Sequence, residues 1–227
     1  MKLVSKNTLL AAMLAAASCG AFAADSVDLK IVGTIVPPSC TPTLSGGGTV
    51  DYGNIPVSTI SNTGFTNLGT KSVQLSITCD AATKVAIRAL DGRAGTAAPG
   101  AAAVAGSNAT DSNGFGLGSS GGKQVGAYIL KQYFNPSADG NPVARIRSDD
   151  NGVTWVAGNN ASDGLMKADG SRIQSIAPST SSTAPGAYIH SVNQYDVTAV
   201  INKRVDLPDL KQQVLLDGLA TFSLVYL

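Results

Sequence analysis

Residues 26–40, S-V-D-L-K-I-V-G-T-I-V-P-P-S-C, are the stretch from which the fold of this chain is best inferred. Val27, Leu29 and Ile31 stand at every second position with charged residues between them, which is the period of a strand with one buried face. The proline pair at 37–38 cannot continue a hydrogen-bonded ladder, so the predicted strand ends there. A terminal strand with one apolar face needs a groove, either in its own domain or in a neighbouring molecule.

The first 23 residues are predicted to be a secretory signal peptide. A basic start with two lysines, an apolar run at 9–17 and a small-x-small sequence at 21–23 indicate cleavage before Ala24. A lipoprotein anchored through Cys19 is the alternative. No other run approaches the roughly 20 apolar residues of a membrane-spanning helix, so we expect the mature chain to be soluble after export.

The composition of the mature chain favours an all-β fold. Without the two lysines of the signal peptide it carries 14 basic and 15 acidic residues, a balance that suggests neither nucleic acid nor an anionic membrane as partner. All fifteen acidic residues are aspartate, which favours turns, and the helix-favouring glutamate is absent. About 200 residues suit one sandwich or barrel, or at most two small domains.

Cys40 and Cys79 are the only cysteines left after cleavage, and two cysteines in an exported chain most simply form one disulfide. Closing a loop of about 40 residues stabilises a fold by roughly 4 kcal/mol. A metal site is the alternative, but two thiols and the single His190 do not make a recognisable ligand set.

Alternating apolar residues and turn signals divide the rest of the chain into strands and loops. Strands are predicted at 49–55, 71–79, 84–90, 124–133, 143–147, 153–157, 188–190, 195–202 and 220–227. The second and third of these are joined through 80–83 as a hairpin or an inter-sheet corner. The low-complexity segment at 91–114 lacks apolar periodicity, so we expect a long mobile surface loop there, and a second polar loop at 158–185.

Patterns that resemble catalytic or cofactor sites have simpler interpretations. G-x-G-x-x-G at 116–121 runs into a strand rather than a helix, which favours a turn over a dinucleotide site. The aspartates at 149–150 lack the spaced oxygens of a calcium loop. His190 lies in a strand pattern without a G-x-S-x-G elbow for a Ser/His/Asp triad, and Trp155 is predicted as core rather than a sugar platform. Paired aspartates for glycoside chemistry stay open, although most aspartates lie in turns.

Several segments together resemble a pilin of the chaperone-usher pathway. They are G-T-I-V-P-P-S-C at 33–40, V-D-Y-G-N-I at 50–55, the second cysteine at 79, and A-T-F-S-L-V-Y-L at 220–227. Residues 76–96 and F-G-L-G at 115–118 are similar to a poorly characterised fimbrial-like family, a domain of unknown function sometimes labelled beta-fimbrial major subunit.

The resemblance implies an incomplete immunoglobulin-like β-sandwich that is completed by donor-strand exchange. It divides the chain into the signal peptide at 1–23, an N-terminal donor segment at 24–36 and a sandwich domain at 37–227. The open groove of such a domain is filled first by a periplasmic chaperone and then by the N-terminal strand of the next subunit, which is a form of β-augmentation.

The two terminal strands have different implied roles. The donor residues are Val27, Leu29 and Ile31, and the edge that the chaperone contacts is formed by Phe222, Leu224 and Tyr226. We expect a non-enzymatic structural subunit of a Gram-negative surface fimbrium with a role in cell adhesion, exported through the periplasm. Its expected partners are the chaperone, an outer-membrane usher and neighbouring subunits, without nucleic acid, metal or cofactor. The alternatives are a minor or tip subunit that binds surface carbohydrate, and a secreted all-β hydrolase.

Overall fold

The computed structural model describes residues 27–227. The predicted signal peptide at 1–23 and the first residues of the donor segment, 24–26, lie outside the described residues. The fold is all-β, as predicted, with about 41% of residues in strands and 10% in helices. Two compact units are distinguished, one that ends at Val36 and one that spans Pro37–Leu227. None of the helices in the described part is long and apolar enough to cross a bilayer.

Residues 27–39 form no strand in the structure, which corrects the secondary structure predicted for this stretch. The side chains of Val27, Leu29 and Ile31 are 95, 87 and 89% exposed. Alternation reports which face of a strand would be buried, but a strand also needs a partner for its N–H and C=O groups. Within the described part of this chain no strand ladder is assigned to these residues, and Ser39 alone exchanges hydrogen bonds with Asp80.

The first sheet is antiparallel, with the strand order β1-β2-β13-β7-β4 and a short hairpin, β8-β9, added to β13. Its strands are β1 (Cys40–Leu44), β2 (Thr66–Thr83), β4 (Phe115–Gly116), β7 (Gly126–Gln132), β8 (Ser137–Ala138), β9 (Asn141–Pro142) and β13 (Tyr188–Ile201). The central pair is β2 and β13, so the two strands predicted at 188–190 and 195–202 are one continuous strand.

The second sheet is also antiparallel, in the order β11-β10-β12-β3-β14. Its strands are β3 (Val85–Asp91), β10 (Ala144–Ser148), β11 (Val156–Ala157), β12 (Ile173–Ala177) and β14 (Ala220–Tyr226), and a separate hairpin consists of β5 (Ser119–Ser120) and β6 (Lys123–Gln124). Because β2 and β3 lie in different sheets, the connection between them is an inter-sheet corner rather than a hairpin. β12 lies inside the predicted polar loop at 158–185, and all five of its residues are buried.

The helices are short. They are α1 (Ala101–Ala105) and the 3-10 turns Ser45–Gly48, Val57–Thr59, Asp111–Asn113, Ala161–Gly164 and Arg204–Asp206. The segment at 91–114, expected to be a mobile loop, is instead folded against the first sheet. Ala98, Ala101 and Ala102 are buried against Ile129 and Val200 on the outer face of β7 and β13. Alanine side chains are small enough for a helix to approach a sheet closely, and they leave little periodicity in the sequence.

The main core lies between the two sheets. It joins inward-facing residues of both sheets, including Val73, Leu75, Ile77, Ile87, Ala89, Tyr128, Leu130, Tyr195 and Val197. The predicted disulfide between Cys40 and Cys79 is present and links β1 to the residue directly opposite on β2. A two-layer β-sandwich therefore carries the sites described below.

Candidate functional site

An open apolar groove lies between the two sheets of the unit Pro37–Leu227. Its volume is about 760 Å³. Its lining includes Leu44, Val73, Leu130, Val197, Ala199, Ala220 and Phe222. A void of this size with apolar walls is a place where a further chain element can pack.

The edges of this groove are β1 and β14, the outermost strands of the two sheets on this side. Among the described residues, β1 pairs only with β2 and β14 pairs only with β3. Successive residues of an antiparallel strand direct their N–H and C=O groups to opposite edges, so alternate residues of β1 and β14 present unpaired groups towards the groove. Such edges can accept an added strand.

One end of the groove is closed by contacts between the two edge strands. The Cys40 N–H donates a hydrogen bond of 2.9 Å to the hydroxyl oxygen of Tyr226. The disulfide to Cys79 lies at the same end, where the Ser39 N–H also donates to the Asp80 carboxylate at 2.9 Å. These contacts fix the start of β1 against the end of β14.

One long wall of the groove extends beyond β14. We define the groove wall as residues 214–222, which include the first three residues of β14 and the extended segment before it. Val214, Leu216, Ala220 and Phe222 are half-buried, whereas the residues between them are exposed. Val214 and Leu216 are thus in phase with the half-buried residues of β14, whereas Gly218, between Leu216 and Ala220, is exposed, and 214–219 is not assigned as a strand.

Asp217 fixes the middle of this wall. The Arg93 guanidinium donates to its carboxylate from Nε at 2.9 Å and from Nη2 at 2.7 Å, and the Asp217 N–H donates to the Leu117 carbonyl at 3.0 Å. The hydrogen-bonded guanidinium holds the pKa of the Asp217 carboxyl below its ordinary value. The wall is therefore held on the side that faces Arg93 and Leu117, and the opposite edge of its backbone is left for a partner strand.

The V-D-Y-G-N-I segment at 50–55 lines the groove opposite this wall but forms no strand, contrary to the prediction for 49–55. Tyr52 anchors it, because its hydroxyl donates to the Val197 carbonyl at 2.8 Å. Burial raises the pKa of Tyr52. Gly53 follows with a φ of 69°, and its N–H donates to the Asp51 carboxylate at 2.7 Å. The motif is thus a turn that holds the edge of the groove.

The predicted site residues occupy two places. Phe222 and Leu224 are half-buried and pack against the main core, where the Phe222 ring lies 4.9 Å from that of Tyr195. Tyr226 is half-exposed at the closed end of the groove. The donor residues Val27, Leu29 and Ile31 are exposed in the unit that ends at Val36. Their predicted role in a second molecule stays a prediction.

The side of the interior opposite the groove is sealed by polar side chains that the sequence did not indicate. The buried Arg145 of β10 donates to the carbonyls of Gln132, Gly158 and Asn160, the last two at 2.9 and 2.8 Å. Burial lowers the pKa of Arg145 to about 10. The Gln132 amide in turn donates to Asn193 Oδ1 at 2.7 Å. No spacing in the sequence brings these residues together.

The other candidate motifs have structural roles. Gly118 has a φ of 84° and is followed by the β5-β6 hairpin, which confirms the turn interpretation of the glycine motif. His190 is exposed on β13 with Nδ1 3.1 Å from the Thr78 hydroxyl. Trp155 is half-buried rather than core, and its Nε1 donates to the Gly152 carbonyl at 3.1 Å.

The aspartates at 149–150 form hydrogen bonds and ion pairs with neighbouring side chains. Asp150 accepts hydrogen bonds from the side chain of Ser148 and from Thr154. Asp149 is paired with Arg147, Lys167 and Arg172. Within residues 27–227, no group of three His, Cys, Asp or Glu side chains is placed to bind a metal ion.

Comparisons with known proteins each match less than half of the chain. A family model described as a protein of unknown function, DUF1120, matches residues 29–129. The chain is 44% identical over 100 residues to Protein GltF of Escherichia coli K12, an alignment that covers 40% of this chain and 39% of the relative. It is 40% identical over 85 residues to the uncharacterized protein YhcF of the same organism, which covers 37% and 36%. The chain thus spans less than two fifths of the length of each of these two relatives.

Proposed function

We propose that this chain is a structural subunit of a surface fimbrium, exported through the periplasm and assembled by the chaperone-usher pathway. The groove of one subunit takes the N-terminal segment of the next, and the resulting polymer serves in cell adhesion. The observation that carries this proposal is the open apolar groove of about 760 Å³ between two free strand edges. The protein acts by assembly rather than by catalysis.

The exposed N-terminal segment supports the same proposal. Val27, Leu29 and Ile31 are almost fully exposed, although burial of each such side chain is worth about 1.5–3 kcal/mol. An added strand satisfies the free N–H and C=O groups of the groove edges while its alternate side chains fill the groove. Among residues 27–227, no strand pairing is assigned to the N-terminal segment, and no strand pairs with the free edges of β1 and β14.

The proposal gives each partner a stage of assembly. An open groove with free edges is prone to pair with stray strands, so a periplasmic chaperone covers Phe222 and Leu224 until the subunit reaches the outer-membrane usher. The neighbouring subunit then replaces the chaperone. The Cys40–Cys79 disulfide fits an oxidising compartment such as the periplasm.

The main test removes the apolar face of the donor segment. We expect the double variant Leu29→Asp, Ile31→Asp to abolish fibres on cells that carry the matching chaperone and usher, because charged side chains cannot enter an apolar groove. Thr34→Asp is the matched control, since it adds a charge to the same segment at a position between the apolar ones. Electron microscopy and heat-resistant oligomers on gels report assembly. Fibres of normal length from the double variant would contradict the proposal.

A second test concerns the chaperone. Phe222→Asp places a charge on the groove wall and is expected to abolish co-purification with the chaperone, so that the exported subunit is degraded. Thr221→Asp is the control, because Thr221 is the exposed neighbour on the same strand. Undiminished chaperone binding by Phe222→Asp would contradict the proposal that the chaperone binds at β14.

A further inference from the structure

We propose that Tyr133 and Phe134 form a binding site for a neutral saccharide, in which one sugar ring packs its face of C–H groups against the aromatic rings. The two residues directly follow β7, and neither lines the groove. The site therefore goes beyond the proposed function. It gives the chain a ligand of a different chemical class from the neighbouring subunits of a fibre.

The backbone that carries the two rings is held on both sides. The Tyr133 N–H donates to the Gln194 carbonyl of β13 at 2.8 Å, and the Pro136 carbonyl accepts from the Val143 N–H at 3.0 Å. Proline also restricts the residue before it, Asn135, to extended conformations. The aromatic pair thus lies in a short segment with little conformational freedom.

The two rings form a corner that is fixed from behind. Their centroids are 6.5 Å apart and their planes are inclined by 74°. The guanidinium carbon of the buried Arg145 lies over the Phe134 ring, 4.7 Å from its centroid, so a cation–π contact holds one face of this ring. Because the rings are positioned before a ligand arrives, binding costs little side-chain ordering.

The exposed ring area fits a small ligand rather than a protein. Tyr133 is 45% and Phe134 40% exposed. Since an aromatic side chain covers about 150–250 Å² when buried, the pair presents roughly 150–200 Å² to solvent. A standard protein interface takes about 800 Å² from each partner. The corner is therefore of the size of one or two sugar rings.

The surroundings of the corner are polar and uncharged. Three amide side chains lie around it: Asn135 next to Phe134 in the chain, Gln194 on the strand beside Tyr133, and Asn159 between the two residues, Gly158 and Asn160, whose carbonyls bind Arg145. Asn135 and Asn159 are exposed. An amide both donates and accepts hydrogen bonds, as the hydroxyl groups of a sugar do. An aromatic surface with such a rim favours a neutral saccharide over a charged ligand.

The test uses the full exported chain and saturation-transfer difference NMR, with methyl β-glucoside, methyl β-galactoside and methyl N-acetyl-β-glucosaminide as probes. At least one probe should receive saturation, most strongly at the ring protons of its apolar face, and a titration then gives its Kd. Absence of transfer to all three would overturn the saccharide site. That result would leave the proposed function intact, because fibre assembly is measured separately.

Two replacements of Phe134 distinguish ring stacking from general apolar contact. Phe134→Tyr keeps a ring over Arg145 and should bind the probe with a Kd within about threefold of the wild-type value. Phe134→Leu keeps an apolar cover on the guanidinium but no ring, and it should weaken binding at least about tenfold. Equal binding by the two variants would overturn stacking on Phe134.

A variant of the exposed Tyr133 covers the case in which Phe134→Leu does not fold. Tyr133→Ala should also weaken binding at least about tenfold. Val153→Ala is the control, because it removes an exposed apolar side chain from the turn between β10 and β11 and should leave the Kd unchanged. Wild-type binding by Tyr133→Ala, or an equal loss in Val153→Ala, would overturn the corner as the binding site.

Discussion

Around Arg145 of β10 the sandwich interior is sealed by this buried arginine, which binds three backbone carbonyls, whereas on the side of β1 and β14 it opens into the apolar groove. The first side is closed by directional hydrogen bonds, which only one arrangement of the chain satisfies. The second side offers apolar contacts and free strand edges, which are much less selective for the source of the strand. A surface of this second kind suits a partner that is exchanged during assembly.

The largest expected difference in stability between the sealed side and the open side comes from replacing one arginine on each. Arg145→Met should lower the free energy of unfolding by about 4 kcal/mol or more, because several charged hydrogen bonds are lost and buried carbonyls remain unsatisfied. Arg93→Met on the open side should leave the free energy of unfolding nearly unchanged, because Arg93 and Asp217 form an exposed pair that solvent screens. Urea unfolding of both variants gives the comparison. Equal losses would show that Arg145 does not seal the interior.

The disulfide is the covalent tie of the open side. Replacing both Cys40 and Cys79 by serine should lower the free energy of unfolding by about 4 kcal/mol, since the 39-residue separation gives the unfolded chain a long loop to regain. Unfolding of the oxidised wild type, with and without reductant, checks the result. If reductant leaves the unfolding free energy of the wild type unchanged, the disulfide contributes little to stability.

Large-to-small substitutions compare the packing of the two sides. Met166→Ala in the buried core should cost about 2–5 kcal/mol, because the cavity cannot be filled. Phe222→Ala should cost less than about 2 kcal/mol, because the vacated space opens into a groove that is already accessible to water. Adding a peptide of residues 24–36 should raise the cost of Phe222→Ala in unfolding free energy, since the peptide then closes the groove over the vacated space. Calorimetry with and without the peptide measures both.

Acid should act mainly on the sealed side. Burial alone would raise the pKa of Asp149, but the hydrogen-bonded Arg172, with Lys167 and Arg147, outweighs burial and holds it below the ordinary value. A carboxylate with a lowered folded pKa stabilises the fold above the unfolded value, about 3.9, and this stability is lost as the pH falls through the folded pKa.

Asp149→Asn should therefore remove part of the decline in stability below about pH 4 and leave the slope between pH 5 and 7 unchanged. Asp28→Asn, in the exposed N-terminal segment, is the control. The urea unfolding midpoints of both variants and the wild type, measured from pH 2.5 to 7, test this prediction. An unchanged acid slope for the Asp149 variant would mean that its three cationic neighbours contribute little to folding.

Strands with an alternating apolar pattern were predictable from the sequence. The alternation in β2 and β14 follows from one face on the core and one towards solvent, and β7 was predicted as a strand although both of its faces are buried. In β12 both faces are covered, so the pattern I-Q-S-I-A carries no period of two. The alanine-rich segment at 91–114 was missed because small side chains bury little area each, although together they cover the outer face of the first sheet.

The candidate site was predictable in its termini but not in its shape. The cysteines and the alternation at 220–226 place the disulfide and one edge strand correctly. The groove depends on which strands the two sheets leave unpaired, and this is a property of the tertiary arrangement. Arg145 likewise meets its carbonyl partners, Gln132 at the end of β7 and Gly158 and Asn160 after β11, only in the folded chain, so its alternating sequence context gave no sign of burial.

The Cys40–Cys79 bond has a mechanical consequence. In a fibre built as proposed, tension enters each subunit at Pro37, just before a five-residue edge strand that would peel from its neighbour one hydrogen bond at a time. The covalent link passes the pull to the 18-residue β2, whose long ladder with β13 resists in shear, with its bonds stretched together. The rate at which a stretched subunit unfolds is then set by the centre of the sheet rather than by its edge.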